Sequence, residues 1–272
     1  MGGGKTQSSN IIYKLVIPTI LFSLIEYIPK KILRGEPIVI HSFLSNTIGG
    51  GTYWFTSALV VAEFVILLLL LTRSKNICYY FIVGLLIAAF GWYLIQIDFH
   101  LFGFGRDPWA YRRGLLAVAF MMAGGVYWRC EDLLAKWMKW YVLTCLLAVY
   151  VLIFSLVPND VPVLISMMDI TCEGYMASLL GCVVLIEFCK RLKTVRYLTF
   201  VGQYSLCFYF LSGALPMLVS MMAKHFVSTD NVLSLMLVFA LCLLISSIVT
   251  YVLNRYLPFV FDLRMIKKKI RN

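Results

Sequence analysis

Charged residues and histidine are scarce in this sequence, and each scarcity excludes a class of protein. Charged residues make up 14% of the 272 positions, hydrophobic residues make up 61%, and the mean hydropathy is +0.88. Soluble domains carry about 25% charged residues. The chain therefore lacks the polar surface that a water-soluble fold needs, and its composition predicts an integral membrane protein.

Recognisable sites for metals, phosphates and serine nucleophiles are also missing. The eight cysteines form no CxxC pair, and the three histidines show no metal-ligand spacing. Gly4, Lys5 and Thr6 match only the end of a phosphate-binding loop, and no predicted strand precedes them. The glycine-flanked serine of a nucleophile elbow does not occur either. We expect neither a metal nor a bound cofactor.

Basic residues outnumber acidic ones, with 24 Lys and Arg against 13 Asp and Glu and a net charge of +11. Nucleic-acid binding would place these charges on one face of a soluble module. Here they form short runs between apolar segments, which is typical of signals that orient membrane helices.

Eight apolar runs have about the length of a membrane span. They cover residues 11–28, 53–71, 77–97, 114–128, 138–157, 161–188, 198–222 and 232–257. The sequence thus predicts an all-α fold, a polytopic bundle of about eight spans within residues 11–257. Residues 1–10 are expected to form a mobile N-terminus, and the basic tail 258–272 is expected to contact lipid headgroups.

The distribution of Lys and Arg predicts the orientation of this bundle. With eight spans, 17 of the 24 basic residues lie on the side that holds both termini. Basic loops stay in the cytoplasm, so both termini are expected to be cytoplasmic. No soluble domain or internal repeat is evident.

Three acidic positions within the apolar runs are candidates for a polar pocket. Glu63 is the single carboxylate of the segment 53–71, and a charge at bilayer depth costs about 2.5 to 3.5 kcal/mol. Asp169 and Glu173 are four residues apart, so we expect them on one face of the sixth helix, about two and three turns from its outer end. The alternative is that these acids are neutral and hydrogen-bonded inside the bundle.

The predicted outer loop 98–113 concentrates polar and aromatic side chains. Arg106, Arg112 and Arg113 face outward against the topology bias, and Trp109 lies between them. A guanidinium group suits phosphate or carboxylate, and tryptophan stacks on sugar rings. The loop therefore indicates either a site for an anionic or sugar-phosphate acceptor or an anchor at the lipid headgroups.

Four stretches, at residues 11–25, 50–70, 109–129 and 201–215, together resemble the membrane-bound acyltransferase family 3, which contains bacterial O-acetyltransferases of surface polysaccharides. IIYKLVIPTILFSLI is similar to the family's basic residue, apolar run and proline, with Lys14 and Pro18 in the matching places. GGTYWFTSALVVAEFVILLLL resembles its W-F-L-x-A-L segment. WAYRRGLLAVAFMMAGGVYWR resembles its helix of aromatic and small residues, and VGQYSLCFYFLSGAL resembles its G-x-x-S-L-x-x-Y segment.

This resemblance implies a bundle of about ten helices that transfers an acyl group from cytoplasmic acyl-CoA to a hydroxyl of an outward glycan or lipid-linked sugar. The chain matches from the family's third helix onward, so the catalytic histidine of the first helix has no counterpart in it. Ser212 also stands where the family commonly has histidine.

These considerations give a set of pocket-lining candidates without a catalytic residue. The candidates are Trp54, Glu63, Arg106, Arg112, Asp169, Glu173 and Tyr209. We expect acetyl-CoA or another acyl-CoA as co-substrate, a glycan acceptor and membrane lipid as partners, and the bacterial inner membrane as the location. A truncated, inactive copy, a secondary transporter or flippase, and a scaffold subunit are the alternatives.

Overall fold

The computed structural model describes residues 8–72, 74, 76–99, 107–156, 171–223 and 232–257, and every regular element in these ranges is a helix. The α-helices are α1 Ile17–Arg34, α2 Ile40–Thr47, α3 Trp54–Leu70, α4 Ile77–Gln96, α5 Tyr111–Arg129, α6 Glu131–Trp137, α7 Trp140–Leu156, α8 Cys172–Arg191, α9 Arg196–Gln203, α10 Ser205–Leu211, α11 Leu215–Ala223 and α12 Val232–Tyr256. The all-α prediction is confirmed for these ranges.

Fewer helices than expected satisfy the length and composition of a membrane span. Three described segments do so, namely Ser8–Ile32, Cys78–Gln96 and Ser234–Tyr256, and two bent helix pairs raise the number to five. The helices support a membrane protein, but the eight spans are not confirmed. The helix α3 has only 17 residues, α5 begins with arginines in its first turn, and α8 carries charged residues at both ends.

Pro18 explains the irregular start of the first span. A proline has no N–H to donate within a helix, and its ring crowds the carbonyl of the preceding turn. The turn before it widens into a π-helix at Ile12–Val16, in which the Ile17 N–H bonds to the Ile12 carbonyl. The helix continues through Pro18 as α1, so the proline distorts this span without ending it.

The chain forms two compact units, a terminal unit (Met1–Tyr53 and Thr194–Asn272) and a central unit (Trp54–Lys193). In the terminal unit, α1 packs on α10 through the rings of Phe22 and Phe210, which stack with centroids 4.5 Å apart. Tyr53 closes this core by donating a hydrogen bond of 2.9 Å to the Phe210 carbonyl.

In the central unit, α5 packs between α3 and α4 at glycines. A Cβ on Gly114 would lie 2.7 Å from the Val61 Cβ on α3, and a Cβ on Gly91 would lie 2.7 Å from the Leu115 Cβ on α5. Helices approach this closely only where a side chain is absent. The helix α8 joins the same group, since the Tyr175 hydroxyl donates to the Leu116 carbonyl at 2.8 Å.

The short helix α6 meets α7 at a bend of 97°. Large apolar side chains around this bend lie on the surface: Trp128, Leu133, Trp137, Trp140 and Tyr141 are all more than 60% exposed. Tryptophan and tyrosine prefer the boundary between lipid and water. Such a group of exposed side chains, at one end of α5 and α7, is typical of a membrane-interface region.

Candidate functional site

Arg112 is the buried centre of the site in the central unit. Its side chain is 0% exposed, and its Nε donates to Asp107 Oδ2 at 2.6 Å while its Nη1 lies 3.3 Å from Asp98 Oδ1. An arginine tolerates such burial only where carboxylates offset the lost hydration. Asp107 is itself 6% exposed, whereas Asp98 is 75% exposed. Of these two aspartates, Asp107 is therefore the main stabilising partner. Arg112 and Asp107 form the buried part of the cluster, and Asp98 lies at its exposed side.

The backbone near Arg112 is strained. Asp98, Trp109 and Ala110 have φ values of 47°, 54° and 47°, and they are the only non-glycine residues with positive φ in the described ranges. This left-handed region costs a residue with a Cβ roughly 1 to 2 kcal/mol. Arg112 contacts Asp98, just after α4, and Asp107, just before α5, so it links the two residues that flank these helix ends. Strain of this kind is concentrated at functional sites.

Arg113, the next residue, has a different environment. Its guanidinium carbon lies 5.4 Å from the centre of the half-buried Trp54 ring, a cation–π geometry that joins α5 to α3. Its Nε is buried and donates no hydrogen bond to a described residue. Within the described ranges Arg113 forms no ion pair, whereas its neighbour Arg112 pairs with both Asp98 and Asp107. Of these two adjacent arginines, Arg113 is therefore the one with donor capacity left for a ligand.

Glu63 lies apart from this cluster. It is half-buried on α3, nine residues after Trp54, or about 13 Å along the helix axis. It makes no hydrogen bond or ion pair with another described residue. The structure thus leaves its proposed role in a pocket wall as a prediction.

The structure corrects the expected position of Glu173. The helix α8 begins only at Cys172, after Thr171, whose Oγ1 accepts a bond from the Gly174 N–H at 3.1 Å. Glu173 therefore lies in the first turn and is exposed, rather than about three turns inside a span. A carboxylate there is favoured by the helix dipole. Two further candidates, Asp169 and Arg106, lie outside the described residues.

Tyr209 belongs to the terminal unit. It lies on α10 and packs beside Tyr53, with ring centroids 5.7 Å apart. Tyr209 was predicted from the family-like segment, whereas a buried ion pair near Tyr53 was not predicted from the sequence. Glu26 and Lys30 of α1 are 2.6 Å apart, and the Glu26 side chain is 8% exposed.

The Glu26–Lys30 pair lies at a break between helices. The α10–α11 pair bends by 54°, and the Ala214 N–H at the break reaches Glu26 Oε1 at 3.4 Å. A Cβ at Gly213 would overlap the Glu26 carboxylate and lie 2.5 Å from Lys30 Nζ. A larger residue at position 213 would therefore require the ends of these two side chains to move. The Lys30 ammonium also lies 5.4 Å from the centre of the Tyr53 ring.

A spacing in the sequence could have revealed this face of α1. The buried polar side chains of Thr19, Ser23 and Glu26, followed by Lys30, are separated by four, three and four residues. That spacing places them on one side of a helix. The apolar run 11–28 concealed the pattern, because mean hydropathy does not record on which face polar residues lie.

A second ionic cluster occupies the other end of α5. The buried Glu187 pairs with Arg191 at 2.9 Å and with Lys190 at 3.6 Å, and it accepts a short hydrogen bond from the Tyr127 hydroxyl. Lys190 also pairs with Glu131 at 2.7 Å, and this bond raises the pKa of the Lys190 ammonium above its ordinary value. Each charge in this cluster has a partner, so it joins α5, α6 and α8 without offering a vacant group.

Within the described ranges, no group of three or more His, Cys, Asp or Glu side chains is arranged so that it could hold a metal ion. Comparison of the chain with protein-family models, with curated proteins and with solved structures finds no match.

Proposed function

We propose that this chain is an integral membrane acyltransferase that transfers an acetyl or other acyl group from cytoplasmic acyl-CoA to a hydroxyl of a surface glycan or lipid-linked sugar. One observation carries the proposal: the four family-like segments meet in pairs. The first and fourth segments meet through Phe22 and Phe210 in the terminal unit. The second and third meet through Trp54 and Arg113 in the central unit.

The chemistry assigns binding roles rather than a catalytic residue. The acceptor hydroxyl attacks the thioester carbonyl, its proton passes to a general base, and the coenzyme A thiolate leaves and takes up a proton. No described residue is assigned as this base. Arg112 fixes the start of α5 through its ion pair with Asp107, while Arg113 and Trp54 present a cation and an aromatic ring to the acceptor.

The finer topology forms part of the same proposal. Eight spans place both termini in the cytoplasm of a bacterial inner membrane, with most Lys and Arg on that side. The Arg112 end of α5 then faces outward, toward the glycan. The Glu187 end faces the cytoplasm, next to the exposed tryptophans of α6 and α7.

Acyl transfer is tested with membranes that contain the chain and labelled acetyl-CoA. We expect label in a glycan or lipid-linked sugar fraction. The Trp54→Ala variant should lose about tenfold or more of this activity, because removing the ring misplaces Arg113. Trp128→Ala is the matched control, since Trp128 is 73% exposed at the other end of α5. Absence of label transfer by the wild-type chain would refute the proposal for this chain.

A secondary transporter is the second candidate, and the broken helix favours it. Transporters commonly bind substrate at interrupted helices whose free N–H groups point at an anion. The Ala214 N–H points at the buried Glu26 carboxylate in this way. Substrate flux through proteoliposomes without acyl transfer, lost in Glu26→Gln, would establish this candidate and exclude the enzyme.

A further inference from the structure

Two adjacent arginines on α5 differ in how their charges are compensated. Arg112 is 0% exposed and directs its donors at Asp107 and Asp98. Arg113 is only half-buried, and its one recorded partner among the described residues is the ring of Trp54. An aromatic face attracts a cation but accepts none of its N–H bonds.

Burial makes this unfilled donor capacity costly. The Nε of Arg113 is shielded from solvent and has no acceptor within the described ranges. A buried donor without an acceptor costs about 1 to 3 kcal/mol. Asp107 acts on Arg113 electrostatically, but it lies beyond ion-pair distance and its Oδ2 is bound to Arg112 Nε.

The geometry of the pair limits what could fill the site. The Trp54 ring lies 5.4 Å from the guanidinium carbon but supplies no oxygen acceptor, so a ligand would have to supply the acceptor for the N–H edge. That edge presents a planar fork of donors, which matches the two oxygens of a phosphate or carboxylate. A neutral hydroxyl would supply an acceptor without offsetting the charge.

From these contacts we infer that Arg113 and Trp54 form a binding site for an anionic oxygen group, phosphate or carboxylate, carried by the acceptor. This inference deepens the proposed function because it specifies the acceptor's chemistry, and it assigns the anion to Arg113 rather than to Arg112. The same chemistry could come from an amphiphile in the membrane or from a free anion. Binding is measured without acyl transfer, so failure of the site and failure of the enzyme can be distinguished.

The direct test is binding of dodecyl phosphate to the full chain purified in a neutral glycoside detergent. Arg113→Gln should weaken binding about tenfold or more, the effect of losing one charge-assisted hydrogen bond. Arg113→Lys keeps the charge but loses the planar fork of donors. Its affinity for dodecyl phosphate should therefore lie between those of the wild type and Arg113→Gln. Arg34→Gln is the matched control, because Arg34 is 57% exposed and its one recorded ion pair is a 4.0 Å contact with Glu36.

Inorganic phosphate distinguishes the two sources of the anion. Saturable binding of dodecyl phosphate but not of inorganic phosphate would identify an amphiphilic ligand. Binding of both with the same dependence on Arg113 would identify a site for the anionic group alone. Either result supports the site. Absence of binding by the wild type, or equal binding by Arg113→Gln, overturns it.

A measurement on the wild-type chain covers the case in which Arg113 variants fail to fold. Phenylglyoxal modifies accessible arginines, and mass spectrometry reports the rate at each position. Dodecyl phosphate should slow modification of Arg113 severalfold and leave Arg34 unchanged, while dodecyl maltoside should protect neither. Equal rates at Arg113 with and without dodecyl phosphate would overturn the inference.

Discussion

At its first turn, α5 buries an arginine between two aspartates, and at its last turn it contributes Tyr127 to a cluster around a buried glutamate. The two clusters are about 22 Å apart along the helix. In the Glu187 cluster each charge has a partner of opposite sign, since Lys190 pairs with both Glu187 and Glu131. In the Arg112 cluster the contact of a second cation, Arg113, among the described residues is the aromatic ring of Trp54. The Glu187 cluster thus only holds helices together, whereas the Arg112 cluster also has a guanidinium group, that of Arg113, with donors available to a ligand.

The largest expected effect is on the buried arginine. Arg112→Gln leaves Asp107 buried without its cation, which should cost about 3 to 5 kcal/mol of unfolding free energy. Thermal unfolding in detergent measures this loss, with the exposed Arg34→Gln as the control. A variant as stable as the wild type would show that the Arg112 cluster does not hold this end of α5.

The Glu187 cluster should be more tolerant of a similar change. Glu187→Gln removes a buried charge and should cost about 1.5 to 3 kcal/mol. The loss is limited because Lys190 keeps Glu131 and Arg191 keeps its bond to the Met138 carbonyl. The same unfolding measurement applies, and Glu131→Gln, at a 42% exposed side chain, should change stability by less than about 1 kcal/mol. If Glu187→Gln lost more unfolding free energy than Arg112→Gln, the Glu187 cluster would be the more important of the two for stability.

Two glycines of α5 differ in how closely other atoms pack around them. Gly114 is packed against α3, whereas Gly124 faces open space. Gly114→Ala places a Cβ 2.9 Å from the Ala58 carbonyl oxygen and should cost about 1 to 3 kcal/mol. Gly124→Ala is the control on the same helix, because no atom lies within 4 Å of its Cβ. Alanine favours a helix over glycine, so this variant should be as stable as the wild type or up to about 1 kcal/mol more stable. Equal losses at both positions would contradict the close packing of α3 on α5.

The smallest effect on stability is expected at Arg113. Arg113→Gln removes a cation–π contact and should change the unfolding free energy by about 1 kcal/mol or less. A loss as large as that of Arg112→Gln would mean that Arg113 is also a structural arginine. The distinction between the two ends of α5 would then disappear.

Continuous apolar runs predicted several helices closely. The structure has the helices Trp54–Leu70, Ile77–Gln96 and Trp140–Leu156 where the runs 53–71, 77–97 and 138–157 predicted them. In each run apolar residues cover every face, so length alone sets the boundaries. The run 114–128 was too short, because α5 begins at Tyr111 and takes both arginines into its first turn. Hydropathy assigned those charges to a loop, although a partly buried helix start can hold them.

The run 198–222 shows the limit of this approach. It predicted one span, whereas the structure has three short helices, α9, α10 and α11, separated at Tyr204 and at 212–214. Gly213 lies at the second break, in close contact with the Glu26 and Lys30 side chains of α1. The same limit applies to the candidate site. Trp54 and Arg112 were predicted from residue type, but the different partners of Arg112 and Arg113 depend on residues that only the fold brings together.

The right-angle bend between α6 and α7 has a consequence for how the protein rests in a bilayer. If α7 crosses the membrane, α6 must lie flat on its surface, with Trp137 and Trp140 at the level of the headgroups. A helix fixed in this plane restrains both the depth and the tilt of the span that follows it. A change in bilayer thickness would then be accommodated by the lipid around α7 rather than by tilting of the helix.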